Sequence, residues 1–171
     1  WAYKKGRLAP IKQEFMTIAN FEFILKGVRQ TRANMLGLME GLTMEQLNAI
    51  PSGFRNNLIW NYGHVIVTQQ LLCYSLSGLK PIVDKTLIEN YRKGSAPDGS
   101  VSEAFFQELQ ALGESTLTQF EADYAQGVFQ EFKLYPTSYG VELSRIEEAF
   151  QFNLAHEALH LGTMMAMRKL V

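Results

Sequence analysis

Four stretches in which apolar residues return every three or four positions occupy most of this chain. That period fits amphipathic helices and not strands. The first spans about Thr17 to Glu40, with Ile18, Phe21, Leu25, Val28, Met35, Leu38 and Met39 on one stripe, Thr17 as its cap and Gly41 as its stop. Thr43 and Gln46 then read as the capping box of a short turn that ends at Pro51. The second long pattern runs from about Asn57 to Ser77, before Gly78 and Pro81. It is nearly free of charge, which places it deep in the structure. The third follows a capping box at Ser100 and Glu103 and continues to about Gln126, with Phe105, Leu109, Leu112, Leu117, Phe120 and Tyr124 facing inward. The fourth is capped by Ser144 and Glu147 and reaches about Lys169, where Arg168 and Lys169 suit a helix C-terminus.

Such helices in 171 residues predict a single all-α domain over 16–171, a four-helix bundle. The connections are roughly 15–20 residues long against a bundle norm of roughly 2–8, so they can cross over the bundle. One holds a short helix around TLIENYRKG; another, between Gly127 and Leu143, forms a small hairpin or an extended loop around the Pro136–Gly140 turn. Residues 1–15 are read as an N-terminal extension or an expression remnant and kept out of the fold.

Charge and composition exclude several classes of function. The net charge is −1, and the body beyond residue 15 is mildly acidic, so nothing favours nucleic acid. No apolar run approaches the ~18 residues of a membrane span. Cys73 is the sole cysteine, so no intrachain disulfide forms. With no apolar core of a secretory signal before Met16, the expectation is a cytoplasmic protein.

The chain has three histidines: His64, His156 and His160. His156 and His160 stand four apart on one helix, about 40° apart in direction and about 6 Å apart along one face. Two imidazoles so placed can hold one metal ion. His64 lies midway along another helix, on the face shared by Trp60, Asn61, Thr68 and Leu71. A bundle brings such faces together, and three neutral imidazoles leave at least one coordination position open for water or substrate. Spacing alone does not place His64 beside the other two.

The last helix also matches H-E-x-x-H, the zinc peptidase signature in which the glutamate is the general base. The extended form wants Gly and His where this chain has Thr163 and Ala166, and the chain ends too soon for a downstream ligand. A third ligand must come from upstream, which points again to His64. Glu157 is left to face solvent, a neighbouring helix or the metal's water. By helical phase, Asn61 and Thr68 lie beside His64, and Asn153 and Thr163 beside the pair, as hydrogen-bond partners or packed polar residues. Trp60 either lines the pocket or packs in the core. Cys73 is on the side of its helix away from His64 and reads as a small buried hydrophobe. Met164, Met165 and Met167 read as core or dimer surface.

N-x-x-W-x-x-x-H at Asn57, Trp60 and His64, followed by A-H-E-A-L-H-L-G-T-M from Ala155 to Met164, resembles the DinB-like superfamily, which includes the YfiT-like proteins. The resemblance extends from about Met16 to Leu170. It implies a four-helix bundle with a crossover connection and a divalent metal, zinc or nickel, held by His64, His156 and His160. It also implies a small-molecule substrate, homodimers, and a relationship to transferases and isomerases that use low-molecular-weight thiols. The leading expectation is a metal-dependent transferase acting with a small thiol or on a small electrophile. A metal-dependent hydrolase is one alternative. A non-catalytic, stress-related binding bundle with a structural or vestigial metal is the other.

Overall fold

Short polar side chains set where most of the helices begin. The computed structural model describes residues 18–171, with side chains from Asn20 onward. The 1–15 segment, the Thr17 cap and the Ile18 side chain lie outside the described residues. Helix α1 (Ile18–Met39) closes at Gly41, whose φ of 75° few side chains tolerate. Thr43 accepts the Gln46 N–H and Gln46 accepts the Thr43 N–H, so the expected capping box opens α2 (Met44–Asn48). Asn57 accepts from the Trp60 N–H at 2.8 Å to start α3 (Leu58–Cys73). Asp84 does the same for α4 (Lys85–Tyr91) and Ser102 for α5 (Glu103–Ala125).

Two caps differ from those the sequence predicts. Ser102 and not Ser100 caps α5, because only it stands in extended conformation directly before Glu103 and reaches the Phe105 N–H. Helix α6 (Ile146–Met167) begins after Arg145, which supplies no side-chain cap. Ser144 instead donates through its N–H and its hydroxyl to Glu148, one residue later than the expected Glu147. The second long pattern also breaks: α3 ends at Cys73, and a single 3-10 turn, Ser75–Ser77, carries the chain to Gly78. The segment before α6 is a hairpin. Its strands β1 (Tyr135–Pro136) and β2 (Glu142–Leu143) are antiparallel, with Tyr135 opposite Leu143.

The long helices α1, α3, α5 and α6 form the bundle. Helix α6 packs along both α1 and α3, and α5 closes the other side against the same two. Helices α1 and α3, successive long helices in the chain, therefore sit across the bundle from each other, and the connection through α2 crosses over its end. Fourteen of the sixteen α3 residues are buried, because α2, α4 and the 3-10 turn cover the face that the other long helices leave open. That all-round burial is the reason for its charge-free sequence. Two large apolar clusters and a small one of Leu72, Leu143 and Ala149 fill the interior. One large cluster gathers Met35, Leu58, Ile66, Leu109 and Met164; the other holds an aromatic group of Phe21, Phe120 and Phe150. No helix of the described residues is long and apolar enough to cross a membrane.

Candidate metal centre

Helices α3 and α6 lie side by side, and all three histidines meet where they touch. The ring centres are 5.2 Å apart for His64 and His156, 4.7 Å for His64 and His160, and 4.6 Å for His156 and His160. One nitrogen from each lies within 4.8 Å of the others, so small side-chain adjustments bring all three to a single ion with bonds of about 2.0–2.1 Å. His64 is buried and the other two are half-buried.

The neighbours of these rings decide which nitrogens are free. His64 Nδ1 is 2.6 Å from the Tyr91 carbonyl oxygen, which can only accept, so Nδ1 carries the proton and Nε2 keeps its lone pair. That Nε2 has the Thr68 hydroxyl 3.3 Å away. His160 Nδ1 is 2.8 Å from Asn61 Oδ1. The Asn61 amide is fixed by its own bond to the Asn57 carbonyl at 2.8 Å, which requires the NH2 on that side and the oxygen towards His160. His160 is therefore also protonated at Nδ1 and free at Nε2. His156 Nδ1 is buried with no hydrogen-bond partner. Metal-ligating histidines ordinarily spend the second ring nitrogen on a carbonyl or carboxylate in this manner.

All three imidazoles are held neutral. Burial lowers His156 to about 3 and His160 to about 4, with the charge of neighbouring histidines acting the same way. Burial also lowers His64; the Tyr91 hydrogen bond opposes this and the charge of Lys93 adds to it. Three neutral rings, two of them unprotonated at Nε2 and the third with a buried, unpartnered nitrogen, fit a divalent transition metal.

Trp60 stacks on His64, with ring centres 4.7 Å apart and planes 10° from parallel. Its indole N–H donates to the Asn90 carbonyl and the Ser95 hydroxyl, which fixes the ring as a wall of the site. His64 and His156 also line a cavity of about 330 Å³. Leu71, Leu72, Leu76 and Phe152 make its apolar side, and Tyr135, Thr137 and Ser138 bring the hairpin over it. Tyr139 at the hairpin tip packs edge-on against Phe152.

Asn61 and Thr68 are thus where helical phase puts them. Asn153 and Thr163 bond elsewhere than to the pair and take the other alternative, that of packed polar residues. Asn153 donates to Glu157, and the Thr163 hydroxyl turns back to the Leu159 carbonyl. Of the three directions open to Glu157, it takes the neighbouring helix. It is fully buried and paired with Arg32 of α1 at 2.8 Å. The Arg32 guanidinium also donates to the Gly113 carbonyl and the Thr116 hydroxyl of α5, so one ion pair ties α1, α5 and α6 together. A carboxylate so engaged is not available as a peptidase base. Cys73 is fully buried and its thiol is pushed well above the usual range by that burial. Met164 and Met167 are core, and Met165 is exposed.

Sequence reasoning missed Lys93, the hairpin residues and the Arg32 pair. Only Arg32 left a signal, as a cation on the apolar stripe between Val28 and Met35.

Comparison with known proteins agrees with this architecture. The family model described as the DinB superfamily matches residues 28–164. A crystal structure of a conserved protein from Enterococcus faecalis superposes with a TM-score of 0.64 over 92% of this chain and 98% of that one, at 11% identity. That likeness is one of fold. No curated protein matches the chain in sequence.

Proposed function

The chain belongs to the DinB superfamily, and from that premise we propose that it is a divalent-metal-dependent enzyme. In this reading His64, His156 and His160 hold zinc or nickel, and the protein is a transferase acting with a small thiol or on a small electrophile. The observation that supports it is the pairing of two Nδ1–H groups with carbonyl acceptors, which leaves both Nε2 atoms unprotonated, in a cluster where one nitrogen from each of the three rings lies within 4.8 Å of the others, beside an apolar cavity. A divalent ion bound there supplies Lewis acidity that lets a thiol or a water give up its proton near neutral pH.

The chain's own residues do the rest. The Tyr91 carbonyl and the Asn61 amide fix the ligand rings, and Trp60 holds His64 flat against it. The leucines and Phe152 keep bulk water off the reacting group, and the Thr68 hydroxyl, 3.3 Å from His64 Nε2, is placed to orient a polar group of the substrate. A cytoplasmic setting belongs to this reading, and an unpaired, buried Cys73 is in keeping with a reducing compartment. So does a homodimer. Its support is the outer face of α6, where Ala155, Ala158, Leu159, Gly162, Met165 and Ala166 are exposed and no charged residue intervenes. A monomer in sedimentation equilibrium would remove that part.

The first test is metal analysis of untagged protein, with about one zinc or nickel per chain expected. His64→Ala should abolish that stoichiometry. Asn61→Leu should keep the metal but weaken it about 10–100-fold in competition with a chelator. Full metal retention by His64→Ala would overturn the ligand assignment. The second test separates reactions: metal-dependent consumption of a small thiol with monochlorobimane supports a transferase, whereas release of nitrophenol from p-nitrophenyl acetate without a thiol supports a hydrolase.

A further inference from the structure

The cavity beside the three histidines contains a single charged side chain, Lys93, and no carboxylate. Lys93 follows α4 immediately after Arg92, and among the described residues no ion pair engages its ammonium group. Arg92, beside it, is paired with Glu89 on its own helix. A cation left without a counter-ion next to a site built for a dication raises the local positive potential. Lys93 is exposed, so water and salt screen its charge in part, but an anion bound in the cavity would meet that ammonium directly. The opposite wall is apolar, with Leu71, Leu72, Leu76 and Phe152. The cavity's volume of about 330 Å³ is at the small end of ligand pockets, roughly 300–1,000 Å³. The cavity on the far side of Trp60 contrasts with it: Asp98 is its only charged lining residue, and it has no imidazole.

We propose that Lys93 is a specificity-determining residue, and that the substrate is a small organic anion with an apolar body, its negative group on Lys93 and its apolar part against the leucines and Phe152. This rests on the metal-enzyme reading above for the place where the reaction occurs, but the recognition itself belongs to the chain's own side chains. It predicts a selectivity that can be read without knowing the reaction.

Hydrocinnamate and its neutral amide, hydrocinnamamide, have the same apolar body and differ in charge. Calorimetric titration of the zinc-loaded protein with each, for wild type, Lys93→Met and Lys93→Arg, measures the coupling between that charge and Lys93. Lys93→Met should weaken hydrocinnamate by about tenfold or more and hydrocinnamamide by less than about twofold, and Lys93→Arg should stay within about threefold of wild type for both. Equal weakening of the two ligands, no change for hydrocinnamate, or no binding of hydrocinnamate by the wild type would each overturn the proposal. Zinc content measured on the same samples keeps the two readings apart. Selective loss in a chain that takes up no zinc upholds Lys93 and removes the metal enzyme; unselective change in a fully loaded chain removes Lys93 alone.

Discussion

Glu157 and Arg32 show how one residue can be read two ways. Within H-E-x-x-H a glutamate suggests a base beside a metal. In the folded chain it lies on the far side of α6, fully buried, taking hydrogen bonds from Arg32 and Asn153. Replacing it leaves a guanidinium in dry surroundings with nothing to neutralise it. Glu157→Gln should therefore cost about 3–5 kcal/mol in urea unfolding, while the double change Arg32→Met with Glu157→Met should recover much of that. A loss from Glu157→Gln of under about 1 kcal/mol would mean that the pair contributes little.

At the scale of the element, α3 carries a glycine that helix propensity would disfavour. Alanine in place of a mid-helix glycine ordinarily gains about 0.5–1 kcal/mol. At Gly63 a Cβ would lie 2.4 Å from the ring of Tyr91, a buried side chain with no room to yield. Overpacking of this kind costs about 1–3 kcal/mol, so it outweighs propensity. Gly63→Ala should lower the melting temperature and also weaken the metal, because Tyr91 contributes the carbonyl that orients His64; differential scanning calorimetry and chelator competition read the two effects. Helices α1 and α5 were legible because their apolar period records which face is buried, and α3 because a charge-free run of that length is buried on all sides. The histidine cluster was legible because an i, i+4 pair needs no tertiary information and His64 shared a face with polar residues. The hairpin was legible only as a turn. Which of its residues reach the cavity was not, since Tyr135, Thr137, Ser138 and Lys93 stand on segments with no period to fix their direction. Spacing left Asn153 open between two partners: it stands four before Glu157 as well as three before His156, and it donates to the ion pair.

For the whole molecule, the three neutral imidazoles make stability depend on acid. In the metal-free protein His156 and His160 titrate near 3 and 4, below the usual 6.5, and His64 is lowered as well. Between those values the unfolded chain binds more protons than the folded one. Stability is therefore complete above about pH 6.5 and falls as the pH drops towards 4. Melting curves of chelated protein across that range should show the decline. Zinc or nickel should raise the melting temperature at neutral pH and lose that effect in acid, where protons compete for the same lone pairs. A metal-free melting temperature flat from pH 7 to 4 would contradict the burial of the rings.

The site draws on α3 and α6 alone, and its donors stand roughly ninety positions apart in the chain. An ion gripping both ends shuts a very long loop that includes α4, α5 and the hairpin. In a polypeptide whose lone thiol has no mate, such an ion would act as a reversible clasp, and because it binds only the folded arrangement its affinity would add directly to the stability of the fold. Filling the site thus restrains every segment strung between its two anchors, including those that never approach the ion.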